Sequence, residues 1–319
     1  MMKVSVIVRT YNRPEFLKEA LASVFLQTYP NWEVIIFDDA ASIENFKIYN
    51  DFKNLAGDRR VMYITTKSQY DLFRNSWLIA PDLSDGELMV RLDDDDILAS
   101  DALEFLVETY SKNPELDFSF GSSATFNEDN LGDVIQTNTP FDHPKTKHEW
   151  AAYTIPNNKP WKNPWAFYRD YYDEPRFFTS IIHCAKDNAF CVFHTYAMRT
   201  QSVKRVKDKI TVTSKFVDDL EFMGSLDYMG LGYASIKKVL TFVRIHTQGR
   251  VSDYGKIVDN TNIVEENFHI RDKVDELRPS GFYSKVISLD SNLNFNNGVD
   301  ANLLKQFSEL KKSIKNTIS

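Results

Sequence analysis

Apolar residues in the first hundred positions come in short runs separated by stretches with helical spacing. Val4-Ser5-Val6-Ile7-Val8 lacks Gly and Pro and reads as a buried strand. Asn12 then stands where it can cap a helix, with Pro14 in the first turn and Glu15 placed for a capping box. Leu17, Leu21, Val24 and Phe25 form the buried stripe of that helix. Trp32 to Phe37 is a second strand, ending at Asp38-Asp39, and Val61 to Ile64 a third. Leu72 to Ile79 is a helix, Leu88 to Leu92 a further strand, and Asp101 to Tyr110 another helix. This alternation predicts an α/β fold on a mainly parallel sheet. Ligands of such sheets gather beyond the carboxyl ends of the strands. Arg9-Thr10-Tyr11, Asp38-Asp39 and Asp93 to Asp96 are therefore expected to converge in space.

The pattern changes downstream. Residues 141–178 are rich in Pro, Asn and aromatics, Trp161 and Trp165 among them, and read as a long insertion over the site. Aromatic faces there either pack the insertion down or stack on a ligand. From Ser252 onward helical segments dominate, ending in a stripe of Leu303, Leu304, Phe307, Leu310 and Ile314 opposite Lys305, Lys311, Lys312 and Lys315. Docking on the body is the expected role of that helix; a dimer contact or a weak peripheral contact with an anionic membrane stays open. The chain thus divides into 1–102, which binds the ligand, 103–250, which carries the insertion and further polar clusters, and a C-terminal helical extension, 251–319.

Composition narrows the function classes. With 319 residues, 43% hydrophobic and 26% charged, the chain has the profile of a globular protein able to bury a large core. A net charge of −7 argues against strong sequence-independent nucleic-acid binding, while leaving a local basic groove open. The N-terminal apolar run is too short for a signal peptide, and no uncharged apolar segment approaches a membrane span. Only two cysteines occur, Cys184 and Cys191, so no disulfide framework forms and a cytoplasmic, reducing location is the expectation; they lie near His183 and His194 without the paired-knuckle spacing of a zinc site.

The richest chemistry is in Leu92-Asp93-Asp94-Asp95-Asp96. Adjacent carboxylates repel one another and persist in a fold where a cation or water meets them. Side chains alternate in extended backbone, so Asp93 and Asp95 point one way and Asp94 and Asp96 the other. Two carboxylates at a strand end suit a hard divalent cation that keeps positions for phosphate oxygens. An acidic turn before a helix capped by Ser100 is the other reading. A calcium loop fails at Ile97 and Leu98, where a ligand and Gly are needed.

Six stretches in order carry a family resemblance: Val4 to Arg13 (VSVIVRTYNR), Glu33 to Ser42 (EVIIFDDAAS), Phe73 to Asn75 (FRN), Glu87 to Asp96 (ELMVRLDDDD), Phe216 to Phe222 (FVDDLEF) and Leu240 to Ser252 (LTFVRIHTQGRVS). The set resembles family 2 glycosyltransferases of the GT-A fold, whose sheet is Rossmann-like. The resemblance implies a metal-dependent inverting transfer of a sugar from a nucleotide diphosphate donor, by expectation a UDP-sugar, to an acceptor hydroxyl on a glycan. It places Mn2+ or Mg2+ on Asp95 with Asp93 assisting and His246 as a third contact, and diphosphate oxygens on Arg244. The nucleotide would meet Arg9, Thr10, Tyr11, Asp39, Arg74 and Asp94. Asp219 becomes the general base, with Asp218, Trp161 and Trp165 on the acceptor side. Arg9 departs from the Pro or small residue usual there, and Ala40-Ala41 replaces a Gly-Ser type turn. A protein side chain or a modified nucleic-acid base is an alternative acceptor, and a non-catalytic sugar-nucleotide or glycan-binding protein is the rival from another class.

Overall fold

The computed structural model describes residues 1–65, 71–127, 134–138, 196–212, 218–228, 231, 233–246, 284–287 and 301–318. Side chains are described for most of these. In chain order the elements are β1 (Val4–Thr10), α1 (Pro14–Phe25), β2 (Trp32–Asp38), α2 (Ile43–Leu55), β3 (Val61–Thr65), α3 (Asp71–Leu83) and β4 (Leu88–Asp93). They are followed by β5 (Ile97–Leu98), α4 (Ala102–Lys112), β6 (Phe118–Asn127), β7 (Val134–Asn138), β8 (Tyr196–Arg199) and α5 (Thr200–Val206). A short 3-10 turn (Lys207–Lys209), α6 (Asp218–Tyr228), β9 (Tyr233–Ile245), β10 (Ser284–Ile287) and α7 (Ala301–Ile318) complete the series.

One sheet joins the strands in the order β10-β9-β6-β8-β4-β1-β2-β3, with β5 on β9 and β7 on β6. The N-terminal half is parallel throughout: β1 pairs with β2 and β4, and β2 with β3. β8 enters antiparallel between β4 and β6, while β6, β9 and β10 run parallel to one another. The period-2 alternation sorts side chains into two layers. Val4, Val6, Val8, Val34, Ile36, Val90 and Leu92 face the layer containing α1, whereas Ile7, Ile35, Phe37 and Met89 face a second layer with Trp77, Phe222 and Met223. Both faces of the central strands are covered, which is why these strands read as nearly unbroken apolar runs.

The predicted mixed α/β fold with a mainly parallel sheet is present. Several local expectations differ. Asn12 does not cap α1: it sits at φ +50°, and Arg13 occupies the N-cap with no side-chain cap bond. The turn uses Asn12 to swing the Arg13 side chain back over the aspartate run, where stronger charge-assisted partners await it. Ser100 does not cap the next helix either; α4 begins after Asp101, whose carboxylate pairs with Lys238. The stretch after Ser252, read as helical, includes the strand β10, which lies parallel to β9. Four residues carry too little alternation to reveal such a strand. The terminal helix does dock: Leu303, Phe307, Leu310 and Ile314 are buried, and Phe307 packs between Phe126 at 4.8 Å and Phe242 at 4.4 Å. Among the described residues, no helix is long and apolar enough to cross a membrane.

Candidate functional site

The parallel pairing of β2, β1 and β4 brings three strand ends to one rim. Asp39 N donates to the Thr10 carbonyl at 3.0 Å, and Thr10 Oγ1 donates to Asp94 Oδ2 at 2.7 Å. After Asp93 the chain turns, with Asp96 N donating to the Asp93 carbonyl at 3.2 Å. The turn preserves the expected alternation. Asp93 and Asp95 keep 20% and 19% of their side chains exposed, while Asp94 and Asp96 are buried.

Each aspartate in the run has its own surroundings. Asp94 accepts from Thr10, from Tyr11 N at 3.4 Å and from Arg13 Nε at 3.2 Å, and Arg13 Nη2 closes a bidentate pair with it. Burial pushes the Asp94 carboxyl up, to about 7, with the charges of Asp95 and Asp93 adding and Arg13 and Thr10 opposing. Asp95 Oδ2 accepts from Arg13 Nη1 at 2.6 Å and lies 3.0 Å from His246 Nε2. Burial alone would raise the Asp95 carboxyl, but the bond to His246 and the Arg13 charge outweigh it and hold it well below the usual carboxylate range. Asp93 is gripped by Arg91 through Nε at 3.0 Å and Nη2 at 2.7 Å, with Arg9 Nη2 at 3.7 Å.

The second acidic pair comes from the first turn of α6. Asp218 is fully buried, paired with Arg9 Nη1 and accepting from Trp77 Nε1 at 2.8 Å. Asp219 keeps 24% of its side chain exposed, with Arg91 Nη1 at 3.4 Å and Tyr196 Oη at 3.5 Å. The same division therefore recurs: one carboxylate of the pair is interior, the next is open to the rim.

β9 supplies the third side. Arg244 N and Nε meet Asp96 Oδ1 at 3.3 Å and the Asp95 carbonyl at 3.1 Å, and its guanidinium pairs with Glu19 of α1. That guanidinium lies 4.7 Å from the Phe16 ring and 4.8 Å from Phe126. Glu19 also takes Lys311 of α7 at 3.2 Å, so a part-buried acid holds two buried cations behind the aspartate run. Burial would raise the Glu19 carboxyl, yet Arg244 and Lys311 pull it below its ordinary value. The His246 ring packs edge-on to Phe16 at 4.8 Å.

Asp38, which the sequence left without a role, organises the start of α2. It accepts from Ala40 N at 2.9 Å, Ser42 N at 3.1 Å and Asn45 Nδ2 at 3.2 Å, and pairs with the Tyr63 hydroxyl. Ala41, in the position of the usual Gly-Ser turn, adopts φ +50°.

Of the expected site residues, Thr10, Tyr11, Asp39, Asp93, Asp94, Asp95, Arg244 and His246 gather at this rim, and Asp218 and Asp219 face it through Arg9 and Arg91. Arg9 is buried with its guanidinium on Asp218 and Asp93, and Arg244 is buried on Glu19 and the Asp95 and Asp96 turn. Arg74 lies on α3, but its side chain is outside the described residues, as are Trp161, Trp165 and all of 141–178. Sequence reasoning passed over Arg13, Arg91, Trp77, Tyr196 and Glu19. Charge balance was the available signal, because six clustered aspartates demand buried guanidinium partners.

Among the described residues, no group of three or more His, Cys, Asp or Glu is arranged to hold a metal ion. The Asp95–His246 pair nevertheless has suitable chemistry and spacing. Adjacent ligands around an octahedral cation bonded at roughly 2.1 Å lie about 3 Å apart, and such ions commonly take one or two protein ligands plus phosphate oxygens.

Comparison with known proteins places the chain. Residues 5–206 match the family model described as glycosyl transferase family 2. The putative teichuronic acid biosynthesis glycosyltransferase TuaG of Bacillus subtilis is 28% identical over 139 residues, 44% of this chain and 50% of that protein. The GalNAc(5)-diNAcBac-PP-undecaprenol beta-1,3-glucosyltransferase of Campylobacter jejuni is 30% identical over 131 residues, covering 41% of each. The matched region spans about a third to a half of the length of the first curated relatives. Among solved structures, the S. aureus TarS 1-349 fragment in complex with UDP-GlcNAc superimposes with a TM-score of 0.54 at 13% identity, covering 100% of this chain and 82% of that one, a likeness of fold. With the GT-A architecture, the acidic rim and the family match in agreement, the chain belongs to glycosyl transferase family 2.

Proposed function

We propose that this chain transfers a sugar from a nucleotide diphosphate donor, a UDP-sugar in the first instance, to a hydroxyl of a glycan acceptor, with inversion at the sugar carbon. One observation carries the reading. In each of two acidic clusters, one carboxylate is buried against arginine while another, Asp95 or Asp219, keeps part of its side chain exposed at the rim.

Asp95 and His246 would hold Mn2+ or Mg2+, which when bound neutralises the diphosphate and lets it depart. Thr10, Tyr11 and Asp39 line the base side of the rim. Asp94, interior and held by Thr10 and Arg13, fixes the β1–α1 turn on the nucleotide side. Asp93, held by Arg91, is left to the donor side. Asp219 accepts the proton of the acceptor hydroxyl as that oxygen attacks the sugar carbon from the face opposite the diphosphate, help worth on the order of 10² to 10⁴ in rate. Asp218 anchors the helix that presents it. The Campylobacter relative named for adding glucose to a lipid-linked glycan supports a glycan acceptor, and the TarS fragment solved with UDP-GlcNAc makes that donor the first to try.

The test is a panel of UDP- and GDP-sugars with Mn2+, read by nucleotide release and by the anomeric configuration of the product in NMR. One donor should turn over, chelation should stop it, and the product should carry the opposite anomer. Tight diphosphate binding with no turnover of any donor would replace the enzyme with a binding protein.

A further inference from the structure

We propose that Arg91, assisted by Arg9, is a positioning residue that ties the donor-side carboxylate Asp93 to the acceptor-side carboxylate Asp219 and so fixes the spacing of the two halves of the site. The proposal rests on the transfer reading of Asp219 given above.

Arg91 occupies an unusual place. On β4 its neighbours Leu88, Val90 and Leu92 face one layer, and Met89 faces the apolar layer of Trp77 and Phe222. By alternation Arg91 shares the face of Met89, so a guanidinium stands at the edge of that apolar layer, nearly buried. Its three nitrogens are divided between two segments remote in sequence. Nε and Nη2 fork Asp93 at 3.0 and 2.7 Å, and Nη1 reaches Asp219 at 3.4 Å. The plane of the fork is pinned by rings, Trp77 at 5.1 Å and Tyr196 at 5.2 Å, and the Tyr196 hydroxyl lies 3.5 Å from the same Asp219 oxygen.

Arg9 repeats the connection one strand over. In the β1–β4 register Arg9 is opposite Asp93, and its guanidinium pairs with Asp218 while lying 3.7 Å from Asp93 and 5.0 Å from the Trp77 ring. Two guanidiniums on one indole thus link the end of β4 to both acids at the start of α6. Buried ion pairs contribute little net stability compared with well-packed apolar side chains. What a planar five-donor group supplies instead is a fixed angle and distance between carboxylates. Donor and base must sit within a fraction of an ångström of their working separation for in-line attack, and a misplacement of about 1 Å can cost roughly 100-fold in rate.

Arg91→Lys tests this, because lysine keeps the charge and much of the stem but cannot fork one carboxylate while reaching another. With the fastest donor of the UDP- and GDP-sugar panel, kcat should fall about 10- to 100-fold with donor KM within about twofold, and UDP affinity measured calorimetrically with Mn2+ should stay within about threefold. A role confined to charge balance predicts near wild-type kcat, and that result overturns the proposal. So does an equal loss of UDP affinity and kcat, which marks a general disturbance. A second measurement needs no turnover: the melting-temperature cost of Arg91→Lys should be smaller in an Asp219→Asn background than in wild type, since contacting groups are not additive. Equal costs in both backgrounds remove the Arg91–Asp219 link. A wild-type protein inert toward every donor refutes the transfer reading, and the melting cycle still decides the bridge.

Discussion

Asp218 and Asp219 are adjacent and chemically identical, yet their surroundings differ, one buried on Arg9 and the other part-exposed, so under the proposed transfer the same substitution in each should fail in opposite ways. Asp219→Asn removes a carboxylate whose side chain is 24% exposed and whose contacts with Arg91 at 3.4 Å and Tyr196 at 3.5 Å stand at the long end of hydrogen bonding. A pair of that kind contributes less than about 1 kcal/mol, so the melting temperature should move by no more than a few degrees. Loss of the base should lower kcat by about 10² to 10⁴, or roughly 3 to 5 kcal/mol of barrier, with donor KM nearly unchanged. Asp218→Asn leaves the Arg9 guanidinium buried with its principal counter-ion gone and Trp77 Nε1 competing for one amide oxygen. Breaking a buried pair on one side costs about 3 to 5 kcal/mol, which lowers the melting temperature on the order of 10 °C. Both readouts come from one preparation: steady-state transfer at saturating donor and a thermal melt by differential scanning fluorimetry. If Asp219→Asn keeps kcat within tenfold of wild type, the base assignment is wrong. If Asp218→Asn melts like wild type while activity collapses, the division of labour between the two acids is wrong.

Other substitutions probe the frame around the site. Glu19→Gln strands both Arg244 and Lys311 in the interior and should melt far below Lys311→Met, which leaves Glu19 its pairing with Arg244; similar melting of the two would remove Glu19 from the centre of that cluster. Ala41→Gly relieves a left-handed residue at φ +50°, a strain of about 1 to 2 kcal/mol set against about 0.4 to 1 kcal/mol of extra unfolded-state entropy, so a small rise in melting temperature is expected and a fall would contradict it. Glu33 is buried, and although burial raises its carboxyl, Ser5, Lys3 and the Asp85 amide together hold it below its ordinary value. Its contribution is complete above the unfolded value of about 4.3 and disappears as pH falls through the lower folded value, so Glu33→Gln should flatten the loss of melting temperature between pH 5 and pH 3. His246→Ala should weaken Mn2+-dependent UDP binding by about 10- to 100-fold, read by calorimetry, while binding without metal changes little.

What could be read from the sequence divides along the range of the interactions involved. The strands β1, β2 and β4 were legible because burial on both faces writes an apolar run into consecutive residues. Even the alternation within the aspartate run was legible, and Asp94 and Asp96 are indeed the buried members. The helix stops and starts were less so: Asn12 and Ser100 have the right chemistry for caps, but Arg13 gained more from Asp94 and Asp95 than α1 would gain from an Asn12 cap. Which carboxylate remains open is not a local property. Asp218 and Asp219 differ because Arg9, 209 positions from Asp218, and Trp77, 141 positions away, both converge on the first of the pair. Arg91 was invisible for the same reason, since a lone charged residue inside an apolar strand looks like an error of pattern until its partners are in place. A strand residue that violates the apolar pattern next to an acidic run is therefore informative in itself. The run cannot be buried without cations, and they come from the neighbouring strand end (Arg9), from β4 itself (Arg91) and from the turn after β1 (Arg13). The departure of Arg9 from the Pro or small residue usual in the family and the burial of Asp218 are then one feature, a guanidinium that carries charge balance from the end of β4 across to the first turn of α6.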